Sequence, residues 1–142
     1  MTYQEALAYL DTRVMFGIKL GLDNMNVILA ELGNPHETLK FIHLAGTNGK
    51  GSTACLLNAA LMAESKVGLY TSPHLISARE RFRINGRAVE ESIFTVAVEE
   101  LVAAMARLNS AEVDPTFFEV TTLLAILIFK AEACDYVVWE TG

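Results

Sequence analysis

Apolar residues recur along this chain with two different periods, and these periods predict helices and short strands. Between residues 91 and 108 they recur every three or four positions, which predicts an amphipathic helix with one face toward a core. The same period predicts helices over residues 2–14, over about 23–32 and from Thr116 to about Glu132. The core-facing residues expected on the 91–108 helix are Ile93, Val96, Ala97, Leu101, Ala104 and Met105.

Small polar residues mark the expected starts of three of these helices. Thr2, Asp23 and Thr116 each precede an apolar stretch and are predicted N-caps. Glu119 stands three residues after Thr116, which is the spacing of a capping box.

Three short apolar runs, at residues 41–45, 67–71 and 136–140, have the length of buried strands. A helix-forming stretch joins the first two runs, and strand, helix and strand in that order form a right-handed parallel crossover. Asn85-Gly86 is a strong turn signal and predicts a hairpin near residues 81–89. The predicted fold class is therefore α/β, a mostly parallel sheet flanked by helices on both faces, of the P-loop nucleotide-binding type.

The first strand leads into GTNGKGS at residues 46–52, a loop with three glycines around one lysine, and a helix-forming run begins at Ala54. Glycine lets a loop curl until several backbone N–H groups converge on one phosphate, and the following helix adds its positive dipole end. Lys50 brings a full charge to the β- and γ-phosphates, and Ser52 or Thr53 can place a hydroxyl on Mg²⁺. The predicted nucleotide contacts are Gly46, Thr47, Asn48, Gly49, Lys50, Gly51, Ser52 and Thr53.

The spacing of this loop departs from the common pattern GxxxxGK[ST]. Leu44 stands where that pattern has its first glycine, and Gly51 stands where it has a hydroxyl residue. A glycine-rich turn with an incidental lysine is the alternative interpretation. Strand, loop and helix follow in the order that phosphate binding requires, which favours the phosphate loop.

The last predicted strand ends in Glu140. A carboxylate there lies at the carboxyl edge of the sheet, where ligands collect in folds of this class. Near a phosphate loop such an acid is placed to hold Mg²⁺, directly or through water. The alternative is a strand that ends in a solvated glutamate.

Length and charge narrow the classes of function. The chain has 142 residues, the length of one domain, and a net charge of −6 with a pI of about 5.0, which argues against a nucleic-acid-binding surface. Its longest uncharged apolar run, between Glu119 and Lys130, is too short to span a bilayer, and the N-terminus lacks the features of a signal peptide. Cys55 and Cys134 are expected to be buried free thiols in a reducing compartment, here the cytoplasm.

Six sequence motifs are spread over nearly the whole chain. They are FGIKLGL at 16–22, GTNGKGS at 46–52, GLYTSPHL at 68–75, ERFRING at 80–86, PTFFE at 115–119 and VVWETG at 137–142. In this order they resemble the Mur-ligase superfamily, and in particular its folate branch, folylpolyglutamate synthase/dihydrofolate synthase. Mur enzymes proper usually have a hydroxyl residue directly after the loop lysine, whereas the folate branch has the extra glycine found here as Gly51.

The resemblance implies an ATP-dependent ligase. Such an enzyme phosphorylates the carboxylate of folate or dihydropteroate and joins L-glutamate to it through an acyl phosphate. ATP and Mg²⁺ are the implied cofactors, and Lys50 and Glu140 are the expected catalytic residues. The resemblance adds Ser72 as a Mg²⁺ ligand beside Glu140 and Ser52.

The resemblance also implies residues for the folate substrate. Residues that match Thr116 and Phe118 lie at the pterin end of the family's site, and an aromatic face stacks well on a flat heterocycle. Lys19 is expected to line the folate pocket, and His74 to contact substrate. The alternatives are an ordinary helix–helix connection around Lys19, a loop histidine with local partners at His74 and a simple N-cap at Thr116.

An arginine-rich stretch has two interpretations. Arg79, Arg81, Arg83 and Arg87 give the region of the predicted hairpin a local positive charge on an acidic protein. The stretch is either a solvated hairpin or an attractor for anions, namely ATP phosphates or the glutamate tail of a folate.

Within the family, residues 1–142 correspond to the N-terminal portion of the ATP-binding domain. The remainder of that domain and the C-terminal glutamate-binding domain are absent from this sequence. We therefore expect a full-length parent that is a monomer, with small-molecule substrates and no nucleic-acid or membrane partner. The alternatives are another Mur-type amide ligase and a non-catalytic ATP-binding fragment.

Overall fold

A computed structural model describes residues 1–14, 17 and 21–141 of the chain. Most of the FGIKLGL motif, including Lys19 with its predicted part in substrate binding, lies outside the described residues. Within them, no helix is both long enough and apolar enough to cross a membrane.

The described residues form five α-helices and five β-strands. The helices are α1 (Tyr3–Thr12), α2 (Asp23–Glu31), α3 (Lys50–Met62), α4 (Glu91–Leu108) and α5 (Phe117–Ala131). The strands are β1 (Phe41–Leu44), β2 (Val67–Tyr70), β3 (Phe82–Ile84), β4 (Arg87–Ala88) and β5 (Tyr136–Glu140). Every helix and strand that the sequence predicts is confirmed, with ends that differ by a few residues.

Contacts divide the chain into two compact units, whereas its length predicts one domain. The first unit contains Met1–Glu37 and Glu91–Leu127, and the second contains Thr38–Glu90 together with the chain from Ile128 onward. The first unit is therefore built from α1, α2, α4 and most of α5. The second unit contains the sheet, α3 and the end of α5.

Helix α4 buries a face centred on Phe94 in the first unit. Its buried residues are Phe94, Thr95, Ala97, Val98, Leu101 and Ala104. The Phe94 ring makes an edge contact with Tyr3 of α1, with ring centroids 5.9 Å apart. The prediction that Val96 faces the core was wrong, because its side chain is 58% exposed. Phe94 takes the core-facing position, and Val96, two residues further on, is rotated away from it by about 200° around the helix axis.

The predicted N-caps agree with the structure at two of the three helices. The Thr2 hydroxyl accepts from the backbone N–H of Glu5 at 3.2 Å, and the Glu5 carboxylate accepts from the backbone N–H of Thr2 at 2.6 Å. Thr116 caps α5 in the same way, as described below. Asp23 was wrong as an N-cap, because it is the first residue of α2 and follows Leu22, which makes no side-chain cap. A carboxylate in the first turn still stabilises a helix through the helix dipole.

The second unit contains a mixed five-stranded sheet in the order β1-β5-β2-β3-β4. Strand β5 pairs in parallel with β1 and with β2, while β3 is antiparallel to both β2 and β4. The predicted parallel strands and the predicted hairpin thus belong to one sheet. The hairpin turn is Asn85-Gly86, whose φ angles of 46° and 78° are both positive, as a tight two-residue hairpin requires.

Strand β1 lies at an edge of this sheet, so the prediction of a buried strand was wrong for it. Its residues alternate between exposed and half-buried, and Phe41 is 41% exposed. Among the described strands it pairs with β5 alone, which leaves its other edge uncovered. Its parallel pairing with β5 brings the chain to the carboxyl edge of the sheet, where the glycine-rich loop begins.

Helices cover both faces of the sheet within the second unit, as predicted. On one face, Ala54 of α3 joins an apolar cluster with Leu69 and Val138. On the other face, Gly68 lies against the ring of Phe129, near the end of α5. Successive strand residues point to opposite faces, so neighbouring residues of β2 contact different helices.

Gly68→Ala is expected to lower the free energy of unfolding of the second unit by about 1–3 kcal/mol through overpacking. A Cβ atom at residue 68 would lie 2.6 Å from Cδ1 of Phe129, whose side chain is fully buried at 0% exposure. Urea unfolding followed by the fluorescence of Trp139, the single tryptophan, measures the loss. In the Gly68→Ala variant, Phe129→Leu should lower the free energy of unfolding by less than it does in the parent protein. An unchanged unfolding midpoint for Gly68→Ala would contradict this packing.

Candidate functional site

The glycine-rich loop ends in a helix start that is open to solvent. Helix α3 begins at Lys50 rather than at Ala54, and Gly49 forms its N-cap with a φ of +76°, a left-handed conformation that favours glycine. No side chain caps this helix start, and the first N–H groups of an α-helix have no acceptor within the helix. Residues 46–53 are exposed except for Lys50, which is half-buried. An anion can therefore reach these N–H groups.

Ser72 and Glu140 meet at the carboxyl edge of two neighbouring parallel strands. Ser72 follows β2 closely, and Glu140 is the last residue of β5, which pairs with β2. The backbone N–H of Ser72 donates to Oε2 of Glu140 at 3.3 Å, and Glu140 is only 8% exposed. The peptide bond between Ser72 and Pro73 is cis. The fold therefore brings together two predicted metal ligands that are distant in sequence.

A cavity of about 540 Å³ adjoins this pair in the second unit. The residues that line it are Gly51, Cys55, Asn58, Leu69, Thr71, Ser72, Arg83, Gly86 and Glu140. Three predicted site residues, Gly51, Ser72 and Glu140, share its wall. Ser52, the third predicted metal ligand, is exposed and is not among the described residues of the lining. The volume is in the range of small-molecule sites.

The donor atoms of the Ser72–Glu140 pair suit a hard divalent cation. Glu140 offers carboxylate oxygens, and Ser72 offers a hydroxyl oxygen. In the part of the chain that the structure describes, no three His, Cys, Asp or Glu side chains are grouped to hold a metal. Mg²⁺ retains several waters and is held through one or two carboxylates and substrate phosphates rather than by a full protein cage. The residues present therefore fit Mg²⁺ held jointly with a nucleotide.

The arginines of the arginine-rich stretch at residues 78–90 have different surroundings. Nη1 of Arg79 donates to the backbone oxygen of Val89 at 2.7 Å. Nε of Arg81 donates to Nδ1 of His74 at 2.8 Å, and Arg81 is 8% exposed. Nη1 of Arg83 donates to the backbone oxygen of Gly86 at 3.4 Å, and Arg83 also lines the cavity. All three arginines thus make local structural contacts, and Arg83 is the one of the three that lines the cavity.

Glu80, a residue to which the motifs assign no role of its own, holds the chain that follows Ser72. Its carboxylate accepts from the backbone N–H groups of Leu75 and Ile76, each at 3.0 Å, and of Ser77 at 2.9 Å. These hydrogen bonds, led by the one from Leu75, lower the pKa of Glu80. Ser77 and Glu80 form a capping box, and their S-x-x-E spacing is the signal that sequence analysis could have used.

Thr116 and Phe118 lie at the start of α5, in the first unit. The predicted capping box is confirmed, because the N–H of Thr116 donates to Oε2 of Glu119 at 2.8 Å and the N–H of Glu119 donates to Oγ1 of Thr116 at 3.2 Å. Nδ2 of Asn24 donates to the same Glu119 oxygen at 3.4 Å. Thr116 is 6% exposed, whereas Phe118 is 54% exposed. The Phe118 ring is therefore open to a stacking ligand, and the Thr116 hydroxyl serves the helix cap.

Thr116→Ala is expected to lower the free energy of unfolding by about 1 kcal/mol, because it removes the cap of α5. Thr116→Ser retains the hydroxyl and is expected to remain within about 0.5 kcal/mol of the parent. Urea unfolding of both variants measures the difference. An alanine variant as stable as the serine variant would contradict a capping role.

Known proteins similar to this chain are folate-branch ligases. The dihydrofolate synthase/folylpolyglutamate synthase of Bacillus subtilis is 37% identical over 143 residues, which cover 99% of this chain and 33% of that protein. The solved folylpolyglutamate synthase of Thermotoga maritima is 38% identical with a TM-score of 0.89, over 99% of this chain and 33% of that one. A folylpolyglutamate synthase solved with AMPPCP and folate is 34% identical with a TM-score of 0.87, over 100% of this chain and 35% of that one. No protein-family model matches the chain.

These similarities run over the whole chain, but not over the whole of the relatives. The chain spans about a third of the length of the proteins it matches. Sequence and fold agree with the resemblance carried by the six motifs. The whole of this chain is therefore homologous to about one third of the length of the folylpolyglutamate synthase/dihydrofolate synthase enzymes.

Proposed function

We propose that this chain supplies the ATP-binding site of a ligase that joins L-glutamate to the carboxylate of folate or dihydropteroate. The observation that carries the proposal is the convergence of Gly51, at the open start of α3, with the Ser72–Glu140 pair on one cavity. A helix start with a lysine suits phosphates, and a carboxylate with hydroxyl oxygens suits Mg²⁺. Similarity to folylpolyglutamate and dihydrofolate synthases over the whole chain supports the choice of acid and amine.

The proposed reaction has two steps. An oxygen of the substrate carboxylate attacks the γ-phosphorus of ATP, the bond from that phosphorus to the β,γ-bridging oxygen breaks, and ADP leaves. The amine of L-glutamate then attacks the acyl carbon and loses a proton, and the carbon–oxygen bond to phosphate breaks. Phosphorylation converts a poor leaving group into a good one, so the protein contributes mainly positioning and charge neutralisation.

The residues of the second unit divide this work. Lys50 and the backbone N–H groups of residues 46–52 bind the phosphates, with support from the dipole of α3. Ser72 and Glu140, with Ser52 from the loop, hold Mg²⁺. When bound, Mg²⁺ neutralises charge on the phosphate oxygens.

Four residues are proposed to contact the folate substrate. Thr116 and Phe118 seat the pterin, with the exposed Phe118 ring stacked on it. Lys19 and His74 make further contacts. Because Nδ1 of His74 accepts a hydrogen bond from Arg81, Nε2 is the ring nitrogen that is left to donate to substrate.

We further propose that residues 1–142 are the N-terminal portion of the ATP-binding domain of a longer, monomeric and cytoplasmic parent without nucleic-acid or membrane partners. The rest of that domain and a glutamate-binding domain would complete the active site. The chain covers only about a third of the length of its relatives. This favours a second candidate for the chain alone, namely a non-catalytic ATP-binding fragment. For the parent, the alternative is a Mur-type ligase with another acid and amine.

ATP-dependent glutamate ligation by the full-length parent tests the substrate assignment. Dihydropteroate, tetrahydrofolate and a Mur-type peptide precursor are compared by product mass and phosphate release. Turnover with either pterin supports the proposal and identifies which activity operates, and turnover with the peptide alone overturns it. The 142-residue chain, assayed in parallel, should bind Mg-ATP without glutamate-dependent phosphate release. Release by the chain alone would refute the fragment proposal.

A further inference from the structure

The loop at residues 72–77, which follows strand β2, is held by hydrogen bonds at both of its ends. Its first residue, Ser72, donates its backbone N–H to Oε2 of Glu140 at 3.3 Å. Its last three residues donate their backbone N–H groups to the carboxylate of Glu80. Between the two ends the loop carries His74, so it contains a proposed Mg²⁺ ligand and a proposed substrate contact. The positions of both side chains therefore depend on how firmly the loop is held.

Burial of apolar side chains does not hold the 72–77 loop. Leu75 and Ile76 are 91% and 93% exposed, so the end of the loop gains almost nothing from the hydrophobic effect. All residues of this loop are described by the structure, and each of them is exposed or half-buried. A segment with few buried contacts opens locally at little cost in free energy. The position of the loop therefore rests on its hydrogen bonds.

Glu80 supplies three of these hydrogen bonds through both oxygens of its carboxylate. Oε2 accepts from the N–H of Leu75 at 3.0 Å, and Oε1 accepts from the N–H groups of Ile76 at 3.0 Å and of Ser77 at 2.9 Å. Hydrogen bonds to an ionised acceptor are about twice as strong as those between neutral groups. One carboxylate thus fixes three consecutive residues of an exposed loop.

The capping box that Glu80 forms with Ser77 does not account for all of these contacts. A capping box requires the side chain of Glu80 to accept from the N–H of Ser77 alone. The hydrogen bonds from Leu75 and Ile76 reach back beyond the cap into the loop. These additional bonds point to a role for Glu80 in holding the loop itself.

We propose that Glu80 is a positioning residue for the Mg²⁺ site, because it holds the 72–77 loop so that the hydroxyl of Ser72 can bind the ion beside Glu140. This inference rests on the proposed function. Mg²⁺ demands near-ideal octahedral geometry, so a ligand on a loosened loop binds it less well. Glu80 acts on the metal only through the backbone of the loop.

Amide hydrogen exchange in the 142-residue chain without nucleotide tests the hold of Glu80 on the loop. The N–H groups of Leu75, Ile76 and Ser77 should be protected although the loop is exposed. Glu80→Ala should speed the exchange of all three by about tenfold or more, as expected for the loss of hydrogen bonds to a charged group. Glu80→Gln offers one acceptor oxygen in place of two, so it should release either Leu75 or the other two residues together.

Ser77→Ala is the local control for this measurement, because it removes the hydroxyl of the cap and keeps the carboxylate of Glu80. It should leave the N–H groups of Leu75 and Ile76 protected. Unprotected N–H groups in the unsubstituted chain, or protection that survives Glu80→Ala, would overturn the inference. Neither outcome depends on nucleotide binding.

The Mg²⁺ dependence of ATP binding tests the consequence for the metal. Glu80→Gln and Glu80→Ala should raise the Mg²⁺ concentration at half-maximal effect by about tenfold, the lower end of the range for residues that orient metal ligands. The affinity for ATP in EDTA should not change. Glu5→Gln is the matched control, since Glu5 forms the same kind of capping box with Thr2 in the first unit, and it should leave the Mg²⁺ dependence unchanged.

The unsubstituted chain provides a measurement that does not depend on the folding of any variant. If a firmly held loop favours Mg²⁺, then bound Mg²⁺ must in turn favour the held loop. Mg-ATP should therefore slow the exchange at Leu75, Ile76 and Ser77 by up to about tenfold relative to ATP with EDTA. Mg²⁺ binding that leaves this exchange unchanged, or that Glu80→Gln and Ser77→Ala weaken equally, would overturn the inference and leave the proposed function intact. ATP binding that does not depend on Mg²⁺ in the unsubstituted chain would instead overturn the proposed metal site and the inference together.

Discussion

Lys50→Ala is expected to weaken the binding of Mg-ATP by about 10- to 150-fold, which corresponds to the loss of about 1.5–3 kcal/mol from a charge-assisted hydrogen bond. Lys50 is the first residue of α3, next to the N-cap Gly49, and its ammonium is proposed to bind phosphates at this open helix start. Alanine is the best helix former, so the substitution should not disturb the helix itself. Isothermal titration of Mg-ATP into the variant measures the loss.

A matched lysine variant separates this effect from a general change in charge. Lys40 is exposed and immediately precedes β1, at the end of that strand opposite to the glycine-rich loop, and its Nζ lies 5.8 Å from the ring centroid of Tyr136. Lys40→Ala removes the same charge from the same unit and should leave the affinity for Mg-ATP unchanged. Equal losses in the two variants would show that Lys50 acts only through net charge and would contradict its phosphate role.

Glu140→Gln is expected to weaken the binding of Mg²⁺ by about 100-fold. This is the upper end of the range for residues that only orient metal ligands, and Glu140 is proposed to be a ligand itself. The substitution keeps the shape of the side chain and an oxygen that can accept from the N–H of Ser72, but it removes the negative charge that is proposed to bind Mg²⁺. The expected signature is therefore a specific loss of the dependence of ATP binding on Mg²⁺, without loss of the fold. Titrations of ATP over a range of Mg²⁺ concentrations measure it.

Glu132→Gln is the control for this second prediction. Glu132 belongs to the same unit and accepts from Nζ of Lys66 at 2.9 Å, at the end of the sheet opposite to Ser72 and Glu140. Its replacement removes one carboxylate without touching the cavity lining, so the Mg²⁺ dependence should match that of the parent. A Glu140→Gln protein with unchanged Mg²⁺ dependence would contradict the metal site.

The parts of the fold that depend on local chemistry are predictable from the sequence. The apolar runs form strands and the Asn85-Gly86 turn forms a hairpin where the sequence predicts them, while the glycine-rich loop leads into a helix that begins at Lys50, earlier than predicted. The pairing of Ser72 with Glu140 was also predictable in outline, because parallel strands bring their carboxyl ends to one edge. The roles assigned to these residues in binding ATP and Mg²⁺ remain predictions.

The predictions that were wrong concern properties that depend on a residue's neighbours in the folded chain. Apolar character alone did not distinguish Phe94, which is buried, from Val96, which is exposed, because both are hydrophobic and only packing against α1 decides between them. Strand β1 has the composition of a buried strand but occupies an edge of the sheet. Cys55 stands in an apolar stretch of sequence, yet its position on α3 turns it to the cavity. Such facts follow from tertiary contacts, which periodicity does not encode.

Titration of Mg-ATP into the 142-residue chain tests the central claim most directly. We expect saturable binding of one nucleotide, weaker when EDTA removes Mg²⁺, much weaker in Lys50→Ala and unchanged in Lys40→Ala. That result would show that the open start of α3 and the Ser72–Glu140 edge form a working nucleotide site in this chain. Absence of binding by the folded chain, or binding that neither EDTA nor Lys50→Ala weakens, would contradict it.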